Sequence, residues 1–225
     1  MKILAIADEE CAALWDHYTP GKLAGYDLIL SSGDLKAEYL RFLVTMARCP
    51  VLYVHGNHDG AYDDDPPEGC DCIDDKLVVY KGLRILGLGG SRKYSAGKHQ
   101  YSEKQMQKRI SKLKKAIGEA GGVDIVLAHA APWGVGDAED LPHRGFQAFL
   151  QLIESYHPSL FLHGHVHLNY GIHIRRVGSY GDTTVINCCQ RYDVQCEPHG
   201  ETIQAGVLRQ LYRKLFVSNF EQIGI

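Results

Sequence analysis

Short apolar runs alternate with longer amphipathic segments along the chain, and this alternation is typical of an α/β protein. Each run is rich in β-forming residues and too short for a buried helix, so it predicts a strand. The predicted strands are Lys2–Ala7, Tyr26–Leu30, Val51–Val54, Arg84–Leu88, Val123–Ala128 and Leu160–Leu162. A later hairpin is predicted from Ile172–Arg176 and Thr183–Cys188, around a turn-forming segment at 177–182.

Apolar residues recur at helical spacing in segments between these strands. The helical positions are Leu40, Leu43 and Ala47, then Met106, Ile110, Leu113 and Ile117, then Phe146, Phe149, Leu150 and Ile153. Leu208, Leu211, Tyr212 and Leu215 predict a last helix, although that segment also fits a strand. No repeat, linker or low-complexity tract divides the chain, so we predict one domain over residues 1–225.

The composition is that of a folded protein without bulk positive charge. Hydrophobic residues make up 45% of the 225 residues, charged residues 23%, and the formal net charge is −3, which argues against charge-driven binding to DNA or membranes. The six basic residues of the predicted helix near 103–120 are spread around it, which favours a solvated face over a nucleic-acid site. No stretch approaches the roughly 18 apolar residues of a membrane span, and the N-terminal run is too short for a signal peptide. Seven cysteines, an odd number at irregular spacing, indicate reduced thiols and a cytoplasmic protein.

Polar side chains with ligand or acid–base chemistry follow five of the predicted strands. These groups are Asp8 and Glu10, then Ser32-Gly33-Asp34, then His55-Gly56-Asn57-His58-Asp59, then His129, and finally His163-Gly164-His165-Val166-His167. Ligands of open α/β sheets bind at the carboxyl ends of the strands, and glycine allows the sharp turns that aim side chains there. We therefore expect a binding site at this edge. His55 and His163, each directly before a glycine, are expected in core or supporting roles.

The candidate groups suit divalent metal ions. Carboxylates, imidazoles and an amide oxygen form a ligand set for Mn, Fe, Zn, Co or Ni. The candidates are Asp8, Glu10, Asp34, Asn57, His129, His165 and His167, more than one ion needs. Two ions about 3.5–4 Å apart that share a bridging carboxylate account for the excess, and such a pair clamps a phosphoryl group.

These motifs resemble those of the calcineurin-like metallophosphoesterases. Their order matches the family's Gly-Asp, Gly-Asn-His-Asp/Glu, lone His and Gly-His-x-His, here Gly33-Asp34, Gly56-Asn57-His58-Asp59, His129 and Gly164-His165-Val166-His167. The family's first motif, Asp-x-His, is Asp8-Glu9-Glu10 in this chain. The resemblance implies an α/β fold, a four-layer α/β/β/α sandwich of two mixed β-sheets flanked by helices, with a dinuclear centre at one end.

The resemblance also implies a ligand set and a reaction. One ion is expected at Asp8, Asp34 and His167, with Glu10 as a further ligand. The other is expected at Asp34, Asn57, His129 and His165, so that Asp34 bridges. Mn or Fe is favoured over Zn, Co or Ni. A metal-bridging hydroxide would attack the phosphorus of a small phosphomonoester or phosphodiester, with His58 near the leaving group as acid or charge stabiliser.

Two departures from the family pattern affect these expectations. Glu10 replaces a histidine, which adds negative charge and shifts metal preference toward harder ions. Ala37 replaces the aspartate that orients the catalytic histidine in many relatives, so Glu38 or Asp59 is a candidate substitute for that role. The change at position 10 also leaves open a metal-binding scaffold with little catalysis, although the other ligands and His58 are present.

Three further features are candidates for binding. The polar segment Trp133–Gly145 follows His129, and His143 or Arg144 is expected either to contact a substrate phosphate or to belong to a plain surface loop. Arg92, after a predicted strand, is a weaker candidate for substrate contact. Cys70 and Cys72 follow an acidic loop, but a zinc site there requires two further ligands, and we do not predict one. His99 lies in a segment without supporting ligands and is assigned no role.

Overall fold

The computed structural model describes residues 1–168 and 175–197. Its strands are β1 (Lys2–Ile6), β2 (Leu28–Ser31), β3 (Val51–Tyr53), β4 (Asp71–Cys72), β5 (Lys76–Tyr80), β6 (Leu83–Leu88), β7 (Ser91–Arg92), β8 (Gln100–Tyr101), β9 (Ile125–Ala128), β10 (Leu160–His163), β11 (Val177–Tyr180), β12 (Thr183–Asn187) and β13 (Tyr192–Gln195). The α-helices are α1 (Ala37–Ala47), α2 (Glu103–Ala120) and α3 (Gln147–Tyr156), with short 3₁₀ turns at Ala12–Leu14 and Asp59–Asp63.

Two mixed sheets form the centre of the molecule. The first sheet has the order β13-β1-β2-β3-β4, in which β1 to β4 run parallel and β13 runs antiparallel to β1. The second sheet has the order β11-β12-β10-β9-β6-β5, with the four inner strands parallel and both edge strands antiparallel. The short strands β7 and β8 pair separately. The carboxyl ends of the parallel strands therefore share one edge in each sheet.

The period of two along the strands separates the core into layers. In β1, Ile3 and Ala5 pack between the two sheets, whereas Leu4 and Ile6 pack on the other face against the α1 side. On the far side, Phe161 of β10 and other outward residues of the second sheet pack against α2 and α3. The strands are buried on both faces because each sheet is covered on both sides. The α/β/β/α sandwich predicted from the sequence is confirmed.

The predicted elements agree with these bounds except in one place. Of the strand predicted at Ile172–Arg176, residues 172–174 lie outside the described residues; Arg175 and Arg176 are not in a strand, and the hairpin partner of β12 is β11, at Val177–Tyr180. The segment 177–182 was assigned to the turn, but the turn itself occupies only Gly181 and Asp182. The last helix predicted around Leu208–Leu215 lies outside the described residues. Within 1–168 and 175–197, no helix is both long and apolar enough to cross a membrane.

Candidate metal centre

The predicted site residues emerge from the carboxyl ends of both sheets. Asp8, Asp34 and Asn57 follow β1, β2 and β3 of the first sheet, while His129, His165 and His167 follow β9 and β10 of the second. Asp8, Asp34 and His165 have φ angles of 64°, 56° and 68°, in the left-handed region that residues other than glycine rarely adopt. Such strain persists where the surroundings fix the backbone, and it concentrates at functional sites.

Four donor atoms meet around the ring of His129. Its Nε2 lies 3.0 Å from Asn57 Oδ1, 3.1 Å from His165 Nδ1 and 3.3 Å from Asp34 Oδ2. His129 is fully buried, and Asn57 and His165 are nearly so. We call Asp34, Asn57, His129 and His165 the four-residue cluster. A cation is bound where several side chains direct their lone pairs at a common point, and these four side chains are placed to do so.

Backbone carbonyls hold both histidines in the orientation that leaves a lone pair for this point. His129 Nδ1 donates to the Ser32 carbonyl at 2.8 Å, and His165 Nε2 donates to the Pro142 carbonyl at 2.8 Å. Each ring therefore keeps a hydrogen on the far nitrogen, so the near nitrogen offers a lone pair to an ion once it carries no proton of its own. Metal-binding histidines are positioned in this way by an outer hydrogen bond.

The pKa values in the four-residue cluster are shifted by burial and by the opposite charges of Asp34 and His129. Burial tends to raise the pKa of Asp34, but the charge of His129, with hydrogen bonds from His129 and the His58 N–H, lowers that pKa to about 2. Burial opposes charge on His129 as well, yet the neighbouring Asp34 raises the pKa of its ring to about 9. Burial and the charge of His129 lower the pKa of His165 to about 3. The neutral His165 ring is the state that binds a metal.

Asp8 provides an independent indication of a bound cation. Its Oδ1 accepts a hydrogen bond from the His165 N–H at 2.8 Å, but its Oδ2 is buried and has no hydrogen-bond partner among the described residues. Burial raises the pKa of this carboxyl group to about 6. A buried carboxylate oxygen without a partner is costly, and a cation would satisfy it. The residues present thus fit divalent metal ions.

Two glycines allow the strand-end turns to approach these carboxylates. A Cβ atom at Gly56 would lie 2.0 Å from Asp34 Oδ1, and one at Gly164 would lie 2.8 Å from Asp8 Oδ2 and 2.6 Å from the Ala7 Cβ. Glycine is therefore required at both positions for the turns to lie against the carboxylates, because any side chain there would displace the carboxylates.

Position 9, which the sequence analysis passed over, lies beside His167. Glu9 Oε1 is 2.9 Å from His167 Nδ1, and Glu9 Oε2 accepts from Gln190 Nε2 at 2.9 Å. The hydrogen bond with His167 lowers the pKa of Glu9. Glu10 instead accepts from the Lys36 N–H at 3.1 Å and lines a cleft of about 450 Å³ together with Asp34 and His58. Among the described residues, the group of possible metal ligands around His167 includes Glu9 and Cys189 but not Glu10.

Asp59 was a candidate for orienting His58, and the structure gives it another task. Its Oδ2 accepts hydrogen bonds from the Asp34 N–H at 2.8 Å and from the Gly56 N–H at 2.7 Å. It therefore ties together the two turns that carry Asp34 and Asn57. His58 itself is exposed in the cleft, and its backbone N–H donates to Asp34 Oδ1 at 2.7 Å.

The segment 133–145 reaches the cluster through the Pro142 carbonyl and through His143, one of the three predicted substrate contacts. The His143 ring lies 5.0 Å from that of His165, and its Nδ1 is 2.7 Å from Asp140 Oδ2. Arg144 donates to the Glu139 carbonyl at 2.7 Å, and Arg92 is paired with Glu103 at 2.5 Å. Both arginines are thus engaged by other groups. Buried His163 packs beneath this segment, where a Cβ at Gly136 would lie 2.7 Å from its Nε2.

Comparisons with known proteins agree with this architecture. Residues 3–169 match the family model described as calcineurin-like phosphoesterase. The UPF0046 protein K07C11.7 of Caenorhabditis elegans is 27% identical in an alignment 190 residues long, which covers 73% of this chain and only 62% of that protein. TT1561 of Thermus thermophilus has a similar fold, with a TM-score of 0.54 and 17% identity over 84% of this chain and 88% of its own. Another crystal structure has a TM-score of 0.57 and 16% sequence identity to this chain, and the match covers 84% of this chain and 90% of the other.

Replacing Gly164 tests the packing of the strand-end turn against Asp8. Gly164→Ala is expected to lower the free energy of unfolding by about 1–3 kcal/mol, since its Cβ overlaps the Asp8 carboxylate and Ala7. Gly118→Ala is the matched control, because nothing lies within 4 Å of its Cβ position, and inside α2 it should stabilise by about 0.5–1 kcal/mol. Urea unfolding in EDTA measures both, and equal stabilities would contradict the packing described.

Proposed function

Because the chain belongs to the calcineurin-like phosphoesterase family, we propose that it is a metal-dependent phosphoesterase that hydrolyses small phosphate esters. The observation that carries this proposal is the four-residue cluster, in which two imidazoles, a carboxylate and an amide oxygen meet within 3.3 Å of one nitrogen atom. A cluster without thiolates suits Mn or Fe, with Zn, Co or Ni as further candidates. The seven cysteines are all free, which supports a reducing, cytoplasmic setting.

Two ion positions are proposed, with Asp34 shared between them. The four-residue cluster holds one ion. Asp8, Asp34 and His167 hold the other, and its main support is the buried Asp8 Oδ2, for which the described residues offer no hydrogen-bond partner. Glu9, hydrogen-bonded to His167, keeps that ring oriented. Glu10 is proposed to face the substrate cleft beside Lys36 rather than to complete this ligand set.

Divalent ions at these positions supply positive charge to the phosphoryl group and lower the pKa of bound water. The chain's own residues then act on the substrate from the cleft side. His58 is exposed there next to Asp34, in position to donate a proton to the leaving oxygen. Asp140 holds the Nδ1 hydrogen of His143, so the ring is presented near His165 as a contact for a phosphate oxygen.

The alternative is a metal-binding scaffold of the same fold with little catalysis. The observation that favours it is the hydrogen bond from the Lys36 N–H to Glu10, because a Glu10 carboxylate engaged there leaves the ion position at Asp8, Asp34 and His167 with fewer ligands. A scaffold has no chemical need for an exposed His58 beside the cluster. The activity experiment below separates the two functions.

Metal-dependent hydrolysis is the direct test. Protein stripped with EDTA and titrated with Mn²⁺ should hydrolyse bis(p-nitrophenyl) phosphate or p-nitrophenyl phosphate, and Asp34→Asn should lower kcat/KM at least about 100-fold. Asp27→Asn is the matched control, because this aspartate precedes β2 at the opposite end of the sheet and pairs with Lys81 at the surface. Tight Mn²⁺ binding without turnover of either substrate would favour the scaffold, and absence of binding would overturn both functions.

The contrast between neighbouring glutamates is tested by paired variants. Glu9→Gln is expected to lower Mn²⁺ affinity about 10–100-fold, as loss of an outer partner of a histidine ligand does. Glu10→Gln should change that affinity less, because its carboxylate binds the Lys36 N–H. Titration calorimetry of Mn²⁺ into both variants gives the comparison. A larger loss in Glu10→Gln would restore the expectation drawn from the sequence.

Metal affinity should rise with pH, because protons compete for the same atoms. Without metal, the pKa is about 6 for Asp8 and about 9 for His129. Below pH 6 a proton on Asp8 and one on His129 both compete with the metal, whereas between pH 6 and 9 only the proton on His129 does. Metal affinity should therefore fall most steeply as the pH drops below 6. Each competing proton contributes about tenfold per pH unit. Mn²⁺ dissociation constants measured from pH 5.5 to 8 give the slope, and a constant value would contradict this electrostatic picture.

A further inference from the structure

Three side chains of different chemistry meet outside the metal centre. His55 Nδ1 lies 2.8 Å from Asp74 Oδ2 and 3.6 Å from Cys72 Sγ. One donor atom from each residue lies within 4.8 Å of the other two. We call these residues the His–Cys–Asp cluster. It has no member in common with the four-residue cluster.

The pairing of β3 with β4 places the three residues together. The parallel register joins Tyr53 to Cys72, so His55 and Asp74, each two residues further on, form the next pair on the same face. Asp74 is held there by its other oxygen, Oδ1, which accepts the Gly89 N–H at 3.0 Å and the His55 N–H at 3.4 Å. The arrangement is therefore fixed by the backbone before any ligand binds.

The geometry is not that of a proton relay, and without an ion His55 Nδ1 and Asp74 Oδ2 are hydrogen-bonded at 2.8 Å. In a relay, a thiol and a carboxylate engage opposite nitrogens of the imidazole. Here the sulfur and the oxygen approach the same nitrogen, which carries at most one hydrogen and cannot donate to both. Tetrahedral zinc with typical bond lengths separates a nitrogen and a sulfur ligand by about 3.5 Å. The observed separation of 3.6 Å matches that value.

The cluster is partly exposed and has a second histidine beside it. The side chains of His55 and Asp74 are 15% and 20% exposed, so solvent reaches part of the cluster. The ring of His99 stacks on that of His55 at 4.4 Å, and its Nε2 is buried without a hydrogen-bond partner in the described part of the chain. Cys70 takes no part, because its thiol donates to the Leu40 carbonyl.

We propose that His55, Cys72 and Asp74 bind a zinc-like divalent ion, separate from the phosphoesterase centre, with the fourth position open to water. The thiolate makes this site selective for soft or borderline ions, unlike the nitrogen and oxygen ligands of the four-residue cluster. The Cys72 thiol releases its proton to solvent when the ion binds. A bound ion fastens the edge strand β4 to the end of β3, directly before the turn that carries Asn57.

Cobalt spectroscopy distinguishes this site from the catalytic centre. Metal-free wild-type protein titrated with Co²⁺ should develop a thiolate-to-cobalt charge-transfer band, which nitrogen and oxygen ligands do not produce. Cys72→Ser should abolish the band and lower zinc stoichiometry by one ion per chain, whereas Cys70→Ser should retain both. Asp34→Asn should also retain the band, so failure of the phosphoesterase proposal leaves this test intact.

Two spectroscopic results would overturn the proposal. One is the absence of a thiolate band at saturating Co²⁺. The other is a band that survives Cys72→Ser but disappears in Cys189→Ser, because Cys189 lies near Glu9 and His167 and would then be the thiol involved. A measurement on the wild type avoids any folding defect of the variants. Zinc should slow the alkylation of Cys72, followed by mass spectrometry, at least tenfold and leave the alkylation rate of Cys70 unchanged. Equal Cys72 alkylation rates with and without zinc would refute the site.

Discussion

The imidazole of His129 is the contact on which the site depends, because it joins the two sheets. It follows β9 of the second sheet, yet its Nδ1 donates to the Ser32 carbonyl after β2 of the first sheet. Its Nε2 then meets Asp34 and Asn57 from the first sheet and His165 from the second. The layered core between the sheets fixes their separation, so packing far from the site sets the distances within it.

Much of this arrangement is readable from the sequence, because buried parallel strands are short apolar runs and their ends are marked by polar residues. Asp8, Asp34, Asn57, His129 and His165 all follow such runs. Parallel topology aligns the strand ends within each sheet, and the packing of the two sheets brings the two sets together. The edge strands β5 and β13 are not predicted from the sequence, because their residues are mostly half-buried or exposed and do not form a buried apolar run. Tyr192–Gln195, for example, contains a single fully buried residue, Val194.

The remaining features depend on register and local direction, which a sequence does not state. Glu9 and Glu10 are adjacent and chemically alike, and only the path of the backbone after β1 decides which one meets His167. Asp59 has the residue type of an orienting carboxylate, but it is buried against two backbone N–H groups. The His–Cys–Asp cluster joins residues at or just after the ends of two strands, β3 and β4, whose pairing no short-range pattern reveals.

The hydrogen bond from His165 to the Pro142 carbonyl has a kinetic consequence. One ring nitrogen of His165 faces the four-residue cluster, and the other is held by the segment 133–145, so the ring turns away only when that segment detaches. The lifetime of whatever His165 binds is then tied to the local opening rate of this loop. A shortened or lengthened loop would alter residence time even if every ligand residue were retained.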